Sequence, residues 1–128
     1  MNNHMGSKAT QDKRVMEIIL KIAKQRDLIF IDSRTSQNSV VKEVANKLEI
    51  IAFTRDMFLD NSKTQNDIEK QLRKLGAAAL KNGYAIGIGH VGAEGGIVTA
   101  EAIKAIYPKL IKDGIKFIFI SQLSNVME

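Results

Sequence analysis

His90 sits in the stretch Gly89-His90-Val91-Gly92, where small neighbours would let a ligand come close. Imidazole titrates near neutrality, so it can hand a proton to a leaving group or ligate a metal. Other chemistry-bearing residues fall in short polar clusters, each after an apolar run. Asp32, Ser33 and Arg34 follow Leu28–Ile31, Arg55 and Asp56 follow Ile50–Phe53, and Asp60 and Asn61 lie just beyond. A carboxylate at such a place can act as base or orient an imidazole, and an arginine can grip a carboxylate or phosphate in a bidentate fork. Each residue also has a plainer explanation. A loop histidine is commonly satisfied by a backbone carbonyl, and Asp32 with Arg34 could simply fix a turn.

The segment Gly87-Ile88-Gly89-His90-Val91-Gly92 spells GxGxxG, the glycine pattern that cradles a dinucleotide phosphate. That pattern wants an acidic residue about 20 positions on, at the end of the next strand. Here the next apolar run closes in Ser121-Gln122, and the glycines continue through Gly95 and Gly96. No phosphate loop of the GxxxxGK type, HExxH zinc helix or GxSxG elbow occurs, so those enzyme classes lose support. With no cysteine there are neither disulfides nor thiolate metal ligands. The net charge of +5 is dispersed among acids, as at Lys42-Glu43, Glu69-Lys70 and Lys112-Asp113, which is not the basic face a nucleic-acid binder presents. No apolar run reaches the roughly 18 residues that span a bilayer.

The elements that must position these residues alternate along the chain. Val15, Ile18, Ile19, Ile22 and Ala23 follow helical spacing, with Thr10 the expected N-cap, and Leu28–Ile31 reads as a strand. Val40 to Leu48 gives a second helix and Ile50–Phe53 a second strand. A third helix starts near Thr64, which faces Asp67 in capping-box fashion, and ends at Asn82-Gly83. Tyr84–Ile88 makes a third strand, Val98 to Ile111 a fourth helix, and Lys116–Ile120 a fourth strand after the turn at Asp113-Gly114. Continuously apolar strands separated by single helices imply parallel pairing with both faces covered. The fold class is therefore α/β, about four parallel strands alternating with helices in one domain over residues 1–128. Such folds gather ligands at the carboxyl ends of their strands, where every polar cluster above lies.

Taken in order, NNHMGS (Asn2–Ser7), FIDSRT (Phe30–Thr35), RDMFLDN (Arg55–Asn61) and IGIGH (Ile86–His90) resemble the divergent polysaccharide deacetylases along nearly the whole chain. The resemblance implies a partial (β/α) barrel and a metal-assisted hydrolase acting on an acylated polysaccharide or oligosaccharide. By motif, His4 would be a metal ligand, Arg34 the arginine that positions the base, Asp56 with Arg55 the fourth-motif pair, and His90 the general acid. Asp32 joins this catalytic set, while Asn3, Ser33, Asp60 and Asn61 would contact substrate. The expected cofactor is a divalent metal, with zinc a candidate. It also implies an exported protein of the cell envelope.

The family's first-motif aspartates have no counterpart here, and Asn2 and Asn3 stand where active relatives carry a second histidine. The chain is thus expected to be the C-terminal part of the domain, impaired in catalysis, with exposed barrel edges that favour self-association. The alternative is a non-catalytic carbohydrate-binding or cell-envelope scaffold on the same fold.

Overall fold

The computed structural model describes residues 1–92 and 95–123. Its elements form two compact units, one of Met1–Thr54 together with the stretch from Ile118, the other of Arg55–Phe117.

In the first unit, α1 (Ser7–Thr10) leads into α2 (Lys13–Gln25). The cap of α2 is Asp12, whose carboxylate accepts the N–H groups of Arg14 and Val15, and not Thr10 as the periodicity suggested. Thr10 instead lies buried inside α1, its hydroxyl donating to the Ser7 carbonyl at 3.2 Å and its own carbonyl accepting the Val40 N–H at 2.8 Å. Once the threonine hydroxyl is spent backward, the aspartate directly before the helix meets the orphan amides. The stripe Met16, Leu20 and Ala23 is buried. Met16 and Leu20 form a core with Phe30 of β1 (Phe30–Asp32) and Val41, Val44 and Ala45 of α3 (Val41–Lys47). β1 runs parallel to β2 (Ala52–Thr54), Ile31 opposite Phe53, as a strand–helix–strand crossover requires. The chain start lies beside β1, where Asn2 bridges Ile31 and the Ile31 N–H donates to the Met1 carbonyl at 2.8 Å.

In the second unit, β3 (Met57–Phe58) pairs in parallel with β4 (Gly87–Ile88). Helices α4 (Gln65–Asn82) and α5 (Ile97–Lys112) enclose a core of Leu59, Ile68, Leu72, Ala102, Ile106 and Leu110. The parallel α/β class holds, but as two two-stranded sheets, one per unit. β3 has no counterpart among the four strands expected from the sequence. The sequence predicts a strand at Lys116–Ile120, and residues 115–119 carry no strand pairing; they lead into a 3-10 turn at Ile120–Gln122. That run has the β-favouring residues of a strand but no paired strand among the described residues. The Phe119 N–H is donated to Gln122 Oε1 at 2.9 Å, and Phe119 stays 79% exposed. Propensity makes an extended segment; only a neighbour makes it a strand.

Thr64 caps α4 as read, accepting the Asp67 N–H, and Gly83 closes that helix with φ 88°. Hydrogen bonds from Ser62, Thr64 and Lys70 bring the Asp67 carboxyl from its ordinary 3.8 down to about 2. A depressed carboxylate stabilises the fold above its unfolded value, and that contribution disappears as pH falls through about 2. Thr64→Ala is therefore expected to lose about 1 kcal/mol at neutral pH. Urea unfolding repeated toward acid should show this deficit shrinking; a deficit independent of pH would mean the carboxylate takes no part in the cap.

Candidate active site

The first unit gathers its polar residues where β1 ends. Asp32 is buried and both of its oxygens are engaged: Oδ1 accepts the Arg34 N–H at 2.8 Å and Oδ2 the Ser39 hydroxyl at 2.7 Å. This is the turn-fixing role, and it holds Arg34 at φ 46°, a left-handed conformation that costs a non-glycine residue strain. Asn3 is a clamp between two segments. Its Oδ1 accepts the Ser33 N–H at 2.8 Å, and its amide nitrogen donates to the Met5 carbonyl at 2.9 Å. Ser33 is buried, its hydroxyl accepting from Asn2 at 3.3 Å. His4 is exposed on the segment leading to α1.

The second unit builds a tighter constellation, and the sheet register explains it. Met57 faces Gly87 and Phe58 faces Ile88, an offset of 30 residues. Continued two places past the strand ends, the same offset sets Asp60 against His90. Asp60 Oδ1 lies 2.7 Å from His90 Nδ1, while Oδ2 accepts the His90 backbone N–H at 2.6 Å and the Thr99 hydroxyl at 2.9 Å. The Asp60 side chain has no solvent exposure, whereas that of His90 is 24% exposed. Burial alone would raise the Asp60 pKa. The bonds from the His90 backbone, the His90 ring and Thr99 outweigh it, so the carboxyl sits below its ordinary value. An ionised Asp60 can only accept, so Nδ1 carries the proton and Nε2 is the nitrogen that takes up or gives up a proton.

Around this pair, the Phe58 ring packs 5.1 Å from the His90 ring at 38°, and the Arg55 guanidinium lies 3.7 Å over Phe58. Asp56 pins the entry to β4, its Oδ2 accepting the Ile86 N–H at 2.6 Å. Asn61 is exposed just after Asp60. Reading the residues singly missed Thr99 and Phe58 and gave Asp60 to the substrate. The offset shared by Phe58–Ile88 and Asp60–His90 was the available signal. It becomes usable only once Met57–Phe58 is known to be a strand.

The glycines have a local reason as well. A Cβ on Gly95 would lie 2.2 Å from Asp60 Oδ2, and one on Gly89 would lie 2.8 Å from Thr99 Cγ2. They make room for the aspartate and for α5. The carboxylate bonded to Thr99 occupies the first turn of α5, where a dinucleotide phosphate would otherwise bind, and like charge would repel one.

Residues 1–124 match the family model for divergent polysaccharide deacetylase. The chain belongs to that family. Among curated proteins, an uncharacterised Haemophilus influenzae protein is 39% identical over 90 residues, covering 70% of this chain and 32% of that protein. The uncharacterised protein YibQ of Escherichia coli is 34% identical over 90 residues, 70% of this chain and 28% of that one. The chain thus spans about a third of the length of these relatives. The crystal structure of an uncharacterised protein from Agrobacterium tumefaciens superposes with a TM-score of 0.86 at 24% identity, covering 95% of this chain and 48% of that one. This likeness supports the fold.

The family resemblance implies a divalent metal. No group of three or more His, Asp, Glu or Cys side chains that could hold an ion gathers among the described residues. No buried side-chain nitrogen or oxygen among them lacks a partner, and both oxygens of Asp32 and of Asp60 accept from protein donors. Nor, among the described residues, is any helix of this deacetylase-family chain long and apolar enough to cross a membrane.

Proposed function

We propose that this chain provides the proton-donating side of an acyl-hydrolase site acting on carbohydrate, with His90 as general acid. The observation that carries the reading is Asp60. A fully buried carboxylate that binds both the ring and the backbone N–H of one histidine fixes that ring's tautomer. With His90 protonated, Asp60 stabilises the imidazolium at Nδ1, and the Nε2 proton is the one given to a departing amine or alkoxide. After transfer the neutral imidazole keeps its Nδ1 proton on Asp60, and Nε2 takes a proton from water before another cycle. No proton transfer in this scheme passes through a metal. Family membership supports carbohydrate as the substrate class, and the parallel βα pairs suit part of a (β/α) barrel whose strand ends carry the site.

The second reading, a non-catalytic carbohydrate-binding module, is favoured by one observation: both oxygens of Asp32 accept hydrogen bonds within its own turn. Acetate release from N-acetylated chito-oligosaccharide separates the two. Under the hydrolase reading, His90→Gln lowers the rate by about 10²–10⁴-fold with binding retained. Equal rates in the two proteins would remove His90 from the chemistry. Binding without release by the wild type would leave the binding module.

A further inference from the structure

We infer that Phe58, held by Arg55, is a positioning residue that sets the plane of the His90 ring; this rests on His90 being the acid. Asp60 fixes His90 at its backbone N–H and at Nδ1. One bond to Nδ1 leaves the ring able to tilt, because the outer torsion of a histidine side chain is broad. Its chain neighbours offer no wall, since Gly89 has no side chain and Val91 is 88% exposed. The wall comes from β3. Phe58 lies two residues before Asp60, so both side chains leave the same face of the strand, and the phenyl ring meets the imidazole at a centroid distance of 5.1 Å.

Phe58 is itself held. The Arg55 guanidinium sits 3.7 Å from the phenyl centroid, a cation on the negative face of the ring. That placement argues against the other common role of an aromatic near a glycan site, a flat platform for a sugar. A guanidinium already covers a face that the sugar would need. The order Arg55, Phe58, His90 thus runs from a charged anchor through an apolar plate to the proton donor, and the plate acts only through the histidine.

The test reads the histidine directly. Nitrogen-15 NMR of the His90 ring, with acetate release from the same chito-oligosaccharide, would be compared across wild type, Phe58→Leu and Phe58→Tyr. In Phe58→Leu the Nδ1 signal is expected to shift as the tilting ring weakens its bond to Asp60. The turnover number should fall about 10- to 100-fold, as misoriented catalytic groups do, with KM little changed. Phe58→Tyr, which keeps the plate, should restore both. A His90 spectrum and turnover unchanged in Phe58→Leu would overturn the inference, as would a Phe58→Tyr protein as impaired as the leucine variant. If no protein releases acetate, wild type included, the hydrolase reading fails while the ring spectra still decide the role of Phe58. If Phe58→Leu does not fold, Arg55→Gln removes the anchor without opening the core. The same Nδ1 shift there supports the inference, and an unaltered ring overturns it.

Discussion

Asp60→Ala is expected to cost the fold about 3 kcal/mol, because it orphans a backbone N–H and a buried hydroxyl and leaves the His90 ring without its partner. The His90 N–H and the Thr99 hydroxyl both point at Asp60 Oδ2, Thr99 is 5% exposed, and alanine supplies no acceptor. The pH dependence has a definite sign. The Asp60 carboxyl lies below its ordinary value in the fold, so its contribution is present above the unfolded value and lost as pH falls through the folded one. The gap between wild type and Asp60→Ala in urea unfolding should therefore be widest near neutrality and close toward acid. A gap under about 1 kcal/mol at neutral pH would mean that water replaces the carboxylate without penalty. Asp60→Asn separates stability from chemistry. With its amide oxygen serving the His90 N–H and Thr99, the amide nitrogen faces the ring and donates to Nδ1. The proton then moves to Nε2, the tautomer opposite to that of wild type. Such a variant should stay folded yet lose about 10³–10⁴ in turnover, as wrong-tautomer dyads do.

How much of this the sequence shows depends on whether a feature is local. The cap at Thr64, the glycine stop at Gly83 and the buried stripe of α2 are written in neighbouring residues, and a reader of periodicity finds them. Family membership was legible too, because four short motifs occur in order. What was not legible depends on contacts between distant segments. Lys116–Ile120 has the composition of a strand, but its pairing depends on a neighbour that its own residues do not specify. Met57–Phe58 is too short for alternation to register, yet it sets the offset that brings Asp60 to His90. Asp32 reads both as a catalytic candidate and as a turn former, and its acceptance of the Ser39 hydroxyl depends on where Ser39 returns. The motif with the strongest apparent meaning, GxGxxG, was the least informative. Its first two glycines, Gly87 and Gly89, answer to Leu59, Leu75 and Thr99, side chains that no local pattern could place against them.

Gly95→Ala should therefore be among the most damaging small substitutions in the chain, at about 3 kcal/mol or more. Overpacking usually costs about 1–3 kcal/mol when neighbours can yield, and here they cannot. The added methyl would lie 2.2 Å from Asp60 Oδ2, 2.8 Å from Thr99 Oγ1 and 2.9 Å from the His90 carbonyl oxygen. Moving Asp60 breaks its bonds to His90 and Thr99. Moving the carbonyl breaks its bond from the Gly96 N–H at 2.9 Å. Gly92→Ala is the control. Nothing lies within 4 Å of its Cβ position, and only its φ of 71° opposes a side chain, at about 1 kcal/mol. Thermal or urea unfolding of the two variants should rank Gly95→Ala well above Gly92→Ala. In the NMR spectrum, Gly95→Ala should also disturb the His90 ring, while Gly92→Ala should leave it as in wild type. A glycine-rich loop that existed to admit a phosphate would show the reverse, since Gly92 is the final glycine of that pattern and Gly95 lies outside it. The ranking of two methyl groups thus decides whether this loop is shaped around a ligand's phosphate or around the protein's own aspartate.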